Sequence, residues 1–212
     1  PMSQRAAACP SCGAPLRFAW SSAVQTACPY CHSILVRTDV DLERVGEVAD
    51  LPPDASPIQI GTEGTFDSKN FLVVGRIRYV WTQGSWNEWH IAFMDGSNGW
   101  LADAQLTYAV SFLREGKAPP LSPDQLQAGQ VFDFEGVKYV LTTITRATYA
   151  GFEGELPFTT AGHEEMVFAD LRTTSAQFAT LDFSDERPVL YTGREVAYEE
   201  LNLKNVRLFE GW

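Results

Sequence analysis

The chain has 212 residues, 45% apolar and 20% charged, enough to bury one large or two small cores. Its net charge of −11 is uneven: residues 1–40 carry Arg5, Arg17 and Arg37 against Asp39, a balance of +2, which leaves −13 on the remainder. So acidic a body repels duplex nucleic acid and anionic lipid, and no apolar run approaches the roughly 20 residues of a membrane-spanning helix.

Any nucleic-acid contact would therefore use the N-terminal module, while the acidic body suits solubility or a basic partner. Pro1-Met2-Ser3-Gln4-Arg5 lacks the apolar run of a signal peptide, and Pro1 ahead of Met2 reads as a tag remnant, so the expected compartment is the cytoplasm. Frequent aromatic and β-branched residues lean toward strands.

All four cysteines fall in the first module, as Cys9-Pro10-Ser11-Cys12 and Cys28-Pro29-Tyr30-Cys31. Two C-x-x-C pairs separated by fifteen residues match a four-cysteine zinc site. Each pair folds as a tight knuckle that aims two thiolates at one point, with Gly13 permitting the left-handed turn and the intervening residues forming a hairpin. Four sulfurs around Zn²⁺ make a closed, structural site of one ion per chain. Two disulfides, a redox pair or rubredoxin-type iron fit less well, because disulfides are disfavoured in the cytosol and a redox motif needs one pair on a βαβ unit. His32 follows a complete ligand set and reads as a surface residue.

The expected ribbon spans 1–40. Residues 41–57 read as an acidic linker stiffened by Pro52, Pro53 and Pro57, so Cys28→Ser is expected to unfold the ribbon and spare the body. The β body is expected as two related halves, 58–118 and 119–212. In the first, Phe71, Val73, Ile77, Tyr79 and Trp81 alternate with Arg76 and Arg78, the period of a half-buried strand. Trp89, Ile91 and Phe93 continue on one face, with Glu88 and His90 on the other. A three-residue loop, Gln83-Gly84-Ser85, would set Tyr79 against Trp89, Ile77 against Ile91 and Arg78 against His90. Asp95-Gly96-Ser97-Asn98-Gly99 turns the chain into a third strand at Trp100-Leu101, and Thr107–Leu113 reads as another strand.

Ser122-Pro123-Asp124-Gln125 has the form of a short helix start. The second half then restates the first: Gly129-Gln130-Val131-Phe132 precedes the strand pattern of 137–146, much as Gly64-Thr65-Phe66 precedes that of 71–81. Strand patterns at 166–171, 177–183 and 189–191 follow, and 199–206 carries spaced leucines. Strands at this spacing with Gly and Pro turns predict an all-β sandwich or barrel.

The candidate chemistry is sparse. Arg76, Arg78, Glu88 and His90 share the meander's polar face, which is either an acid/base or anion patch or, as the absence of a nucleophile favours, a solvated face with ion pairs. Trp86 and Trp100, beside Trp81 and Trp89, could stack bases or a peptide, with core packing the plainer reading. Glu153 and Glu155 could hold a cation, although Gly151 and Gly154 suggest a turn, and His163-Glu164-Glu165 lacks the second histidine of a catalytic metal motif. No phosphate-binding loop, dinucleotide motif or nucleophile elbow occurs.

The strings CPSCG, CPYCH, F-L-V-V-G-R, W-N-E-W-H, D-G-x-x-G-W-L-A and E-G-E-L-P, spread over nearly the whole chain, resemble an uncharacterised bacterial family. It is the domain of unknown function numbered forty-one seventy-eight, often preceded by a zinc ribbon. His90 stands where such families usually have tyrosine. The resemblance implies no catalytic activity, and implies accessory proteins encoded near polyamine aminopropyltransferase, S-adenosylmethionine decarboxylase and small membrane-protein genes. The expectation is a non-enzymatic zinc-binding adaptor for a protein partner, which that context sets at or near a membrane. The alternatives are single-stranded nucleic-acid binding by the ribbon and Trp-rich sheet, and an accessory enzyme of polyamine metabolism.

Overall fold

Two short hairpins come first. β1 (Ala6–Ala8) pairs with β2 (Pro15–Arg17), and β3 (Gln25–Ala27) pairs with β4 (Ser33–Arg37). The computed structural model describes residues 6–38, 41–48, 51, 55–160 and 165–208. The residues between the cysteine pairs do not form the single hairpin expected from their spacing; they supply one strand to each of two. The cause is local, since each C-x-x-C is itself the turn. Gly13 N–H donates to Cys9 O (2.8 Å) and His32 N–H to Cys28 O (3.0 Å), so the chain reverses at both pairs. Gly13 (φ +75°) and His32 (φ +57°) take the same left-handed position. β5 (Leu42–Glu47) lies in the stretch expected to be linker, yet it pairs with β4, and Leu42 is buried in the ribbon core.

The rest is a sheet that closes on itself. β6 (Glu63–Phe66) and β7 (Lys69–Trp81) form a hairpin, continued by β8 (Gly84–Phe93), β9 (Asn98–Ala104) and β10 (Thr107–Leu113). A 3₁₀ turn at Pro123–Gln125 stands where a helix start was expected. β11 (Val131–Phe134) and β12 (Val137–Leu156) then form a second hairpin, continued by β13 (Glu165–Arg172), β14 (Gln177–Asp182) and β15 (Val189–Val196). β10 pairs with β15 and β12 with β7, all antiparallel. The order β7-β8-β9-β10-β15-β14-β13-β12 thus returns to its start as an eight-stranded barrel.

The two five-strand halves repeat in detail. Gly61 N–H donates to Val73 O and Val73 N–H to Thr62 O, both 2.8 Å; Gly129 N–H donates to Leu141 O and Leu141 N–H to Gln130 O, both 2.8 Å. A bulge follows Val73 in β7 and another follows Leu141 in β12. On the outside, Ile58, Phe66 and Leu201 cover Val73, Trp89, Ile91 and Val110. Leu126, Phe132 and Phe134 cover Leu141, Leu171 and Leu181 on the other side. Neither half closes alone, because each lends two strands to seams with the other.

The β7–β8 register differs from the expected one. Trp81 pairs with Gly84, which leaves a two-residue turn, Thr82-Gln83, and sets Tyr79 opposite Trp86, Arg78 opposite Asn87 and Ile77 opposite Glu88. The bulge at Val74 shifts the register by one, so that beyond it Val73 pairs with Ile91 and Phe71 with Phe93, where the expected register would have left Ile91 to Ile77. It also splits the predicted apolar face in two. Phe71 and Val73 join the outer core, while Ile77 and Tyr79 turn into the barrel. The apolar–polar pair of Ile77 with Glu88 falls on the face that lines the barrel interior, while Trp89, Ile91 and Phe93 lie in the outer core.

Candidate functional site

The four thiols converge. Cys9 Sγ lies 3.7 Å from Cys31 Sγ and Cys12 Sγ lies 3.8 Å from Cys28 Sγ, with all four sulfurs within 4.8 Å of one another. Disulfide sulfurs would approach to about 2.05 Å. A tetrahedral ion with metal–sulfur bonds of about 2.3 Å spaces its sulfurs by about 3.8 Å, which the two closest contacts match. Cys9 and Cys28 are buried and Cys12 is exposed. Two knuckles of equal hydrogen bonding thus present a closed four-sulfur set that can hold a metal ion.

The ribbon is fastened to the barrel through Glu155. Its carboxylate accepts Ala19 N–H at 2.6 Å and Trp20 N–H at 2.8 Å, while its carbonyl meets His90 Nδ1 at 2.8 Å. Burial pushes the Glu155 carboxyl up in pKa, and the two backbone donors oppose this by favouring its charged form. β3 pairs with the end of β12, setting Thr26 opposite Glu155. Leu16, Phe18 and Trp20 of the ribbon share one apolar cluster with Val74 and Ala92 of the barrel. Residues 151–156 were expected to form a turn; they are strand, with Gly154 (φ +67°) letting the backbone pass 75 closely. Glu153 and Glu155 do not form a cation pair: Glu153 bonds Arg76 (3.3 Å) and Glu155 bonds the ribbon. Of His163-Glu164-Glu165, only Glu165 falls among the described residues, at the start of β13.

Inside the barrel is a cavity of about 370 Å³. Its walls are aromatic where Tyr79, Trp86, Trp100, Phe168 and Tyr191 project, and small where Ala102, Ala109, Ser111 and Thr145 leave room. Tyr79, Trp86 and Phe168 contact one another at ring-centre distances of 5.1–5.9 Å. Four carboxyls line this space: Glu88, Asp170, Asp182 and, paired with Arg172, Glu195. Burial pushes Glu88 up to about 8, only partly opposed by the bond it accepts from Trp86 Nε1 at 3.1 Å. Burial likewise raises Asp170, although Thr180 Oγ1 donates to it at 2.9 Å. Tyr79 and Tyr191 are both held well above the usual phenol range, first by burial and then by the nearby acids. Arg172 and Glu195, paired with each other, also line the cavity beside exposed Gln105 and Thr107, which mark its mouth near the β9–β10 turn.

The six residues expected as one surface patch separate. Arg76 is 2% exposed, with its guanidinium 5.0 Å from the centre of a Trp89 ring and Nε bonded to Asn87 Oδ1 at 2.9 Å. Arg78 donates to Ser85 Oγ at 3.2 Å. Trp86, Glu88 and Trp100 line the cavity. His90 is fully buried between Trp20 (4.8 Å) and Trp100 (5.1 Å), and burial depresses its pKa, so it is a neutral structural ring. Of the face taken for solvated, Glu88 lines the cavity, while Arg76 and His90 are buried elsewhere. Asp170, Asp182 and Tyr191 did not stand out in the sequence, because polar alternation in a strand reads the same whether that face meets solvent or a cavity.

No helix among the described residues is long and apolar enough to cross a membrane. No curated protein and no solved structure matches the chain. The family described as Domain of unknown function (DUF4178) matches residues 59–197, from just before β6 to the end of β15, and the chain belongs to that family.

Proposed function

We propose that this is a non-catalytic accessory binding protein, in which a zinc-stapled ribbon braces a β-barrel and the barrel interior is the binding site. The observation that carries the reading is the aromatic-walled cavity, whose volume of about 370 Å³ is in the range of small-molecule sites. Two of its acids, Glu88 and Asp170, are raised by burial and converge on one space, the usual mark of a site built to orient a ligand. Zinc is supported by the four-sulfur donor set and its tetrahedral spacing, with Cys9, Cys12, Cys28 and Cys31 as ligands. A closed set of this kind supplies structure rather than a reactive water. A cytoplasmic location goes with it, since reduced thiols are what the ion needs.

The test is ligand-observed NMR with a fragment set, on the wild type and on Ala109→Leu, which fills part of the cavity. Fragments that bind the wild type and lose contact in the variant support the reading. Fragments that bind both equally, or none that binds, would sink it.

A protein partner on the outer surface is the second reading. It is favoured by Val131, Val140 and Ile144, exposed on β11 and β12, where β11 pairs with β12 alone among the described strands. The family resemblance would make that partner a polyamine-linked or membrane protein. Single-stranded nucleic-acid binding has less support, because none of Trp81, Trp86, Trp89 and Trp100 is exposed as a stacking platform. An accessory enzyme of polyamine metabolism rests on the resemblance alone and ranks last.

A further inference from the structure

We propose that the barrel cavity selects a small organic cation, an ammonium group carried on an apolar body, with Glu88 as its counter-charge and the rings of Tyr79, Trp86 and Phe168 around it. The inference rests on the cavity being the binding site and adds the class of its ligand.

Three features carry it. First, the polar groups of the cavity floor are of one sign. Glu88 comes from β8, Asp170 from β13 and Asp182 from β14, and all three line the space. Second, the one basic side chain on the wall is already engaged: Arg172 pairs with Glu195, and its guanidinium lies 5.4 Å from the centre of the Phe178 ring. An anionic ligand would meet three carboxyls and no available cation. Third, the body of the cavity is aromatic, and ring faces attract cations, most strongly where water is excluded. A neutral ligand would gain from the rings but form no charge pair with Glu88.

The protonation of Glu88 gives the inference a signature of its own. Glu88 faces Tyr79 on β7, Asp170, Asp182 and Tyr191, with Asp103 acting on it through space from the other side of β9, and burial among these groups keeps it protonated to about pH 8. An entering ammonium favours the carboxylate and drives the proton off. Cation binding should therefore tighten as pH rises toward 8, by up to about tenfold per pH unit, and release close to one proton at pH 7.

The test is isothermal titration of the full-length, metal-loaded protein with three probes of one shape: 2-phenylethylammonium, 2-phenylethanol and 3-phenylpropionate. The expected result is cation binding at least about tenfold tighter than alcohol and no measurable anion binding. Glu88→Gln should bring cation and alcohol within about twofold of each other. Alcohol or anion binding as tight as the cation overturns the inference and leaves the cavity reading standing. Failure of all three probes, with saturation transfer absent as well, overturns both. If Glu88→Gln does not fold, the proton count from wild-type titrations in buffers of different ionisation enthalpy decides: near one proton released supports the inference and none released overturns it.

Discussion

Inside the barrel Glu88 loses most of its hydration, and Asp170, Asp182 and Asp103 add their charges to that cost, so its proton is held to about pH 8. In the unfolded chain the same group ionises at its ordinary value of 4.5. Between those values the folded protein binds more protons than the unfolded one, so stability falls as pH rises through the window and levels off above it. The loss is on the order of a few kcal/mol, discounted for the part of the side chain that still meets water. Glu88→Gln removes this ionisation, so its urea midpoint should fall less than that of the wild type between about pH 5 and 8 and exceed it at the upper end. Parallel curves for the two proteins would contradict this. Glu155 is raised by burial too, but two backbone N–H groups of the ribbon oppose the shift, at about 1.5–3 kcal/mol for each hydrogen bond to its charged form.

At the scale of elements, the barrel depends on two seams, and each carries glycine where the strands come closest. A Cβ at 75 would stand 2.0 Å from Glu155 O on the β7–β12 seam, and one at 193 would stand 2.0 Å from Val110 O on the β10–β15 seam. No side chain fits there, because the obstacle in both places is backbone. Gly193→Ala should cost about 1–3 kcal/mol and loosen the pairing of β10 with β15, read as faster amide exchange on both strands. Gly46→Ala, whose Cβ would meet Ile34 at an ordinary 3.5 Å, is the matched control and should stay near wild type. Equal midpoints for the two variants would argue against closure at that seam. The paired bulges after Val73 and Leu141 belong to the same design. Each turns its strand from the outer core to the barrel interior, which is how one strand serves both.

For the whole molecule, ribbon and barrel share an apolar cluster and the Glu155 latch, so metal and barrel stability are linked. The expectation that Cys28→Ser would unfold the ribbon and spare the body assumed separate cores. Cys28 is instead 1% exposed in the cluster that holds Val74 and Ala92. Cys28→Ser and Glu155→Gln should therefore each lower the barrel's own denaturation midpoint, and elemental analysis should find one zinc per chain in the wild type and none in Cys28→Ser. Two transitions, with the later one unmoved by either change, would restore the independent-domain picture; iron in the wild type would replace zinc.

Sequence alone determined what depends on local spacing. The two C-x-x-C pairs located the thiol cluster, and strand periodicity and Gly/Pro punctuation identified an all-β chain; the echo between Gly64-Thr65-Phe66 and Gly129-Gln130-Val131-Phe132 is out of register, since the backbone bonding matches Gly129-Gln130 to Gly61-Thr62. Only the tertiary structure decided what depends on distant partners. The closure of β12 on β7 brings Glu88, from a face that looked solvated, into an interior, and places it and Trp86 against Asp170 and Phe168. It likewise moves Arg76 under Trp89, gives Glu155 to the ribbon and makes His90 a packing ring. The physical reason is that period-two alternation specifies two faces of a strand, whereas what covers each face is set by pairings 68 to 79 residues apart, such as Gly75 with Gly154.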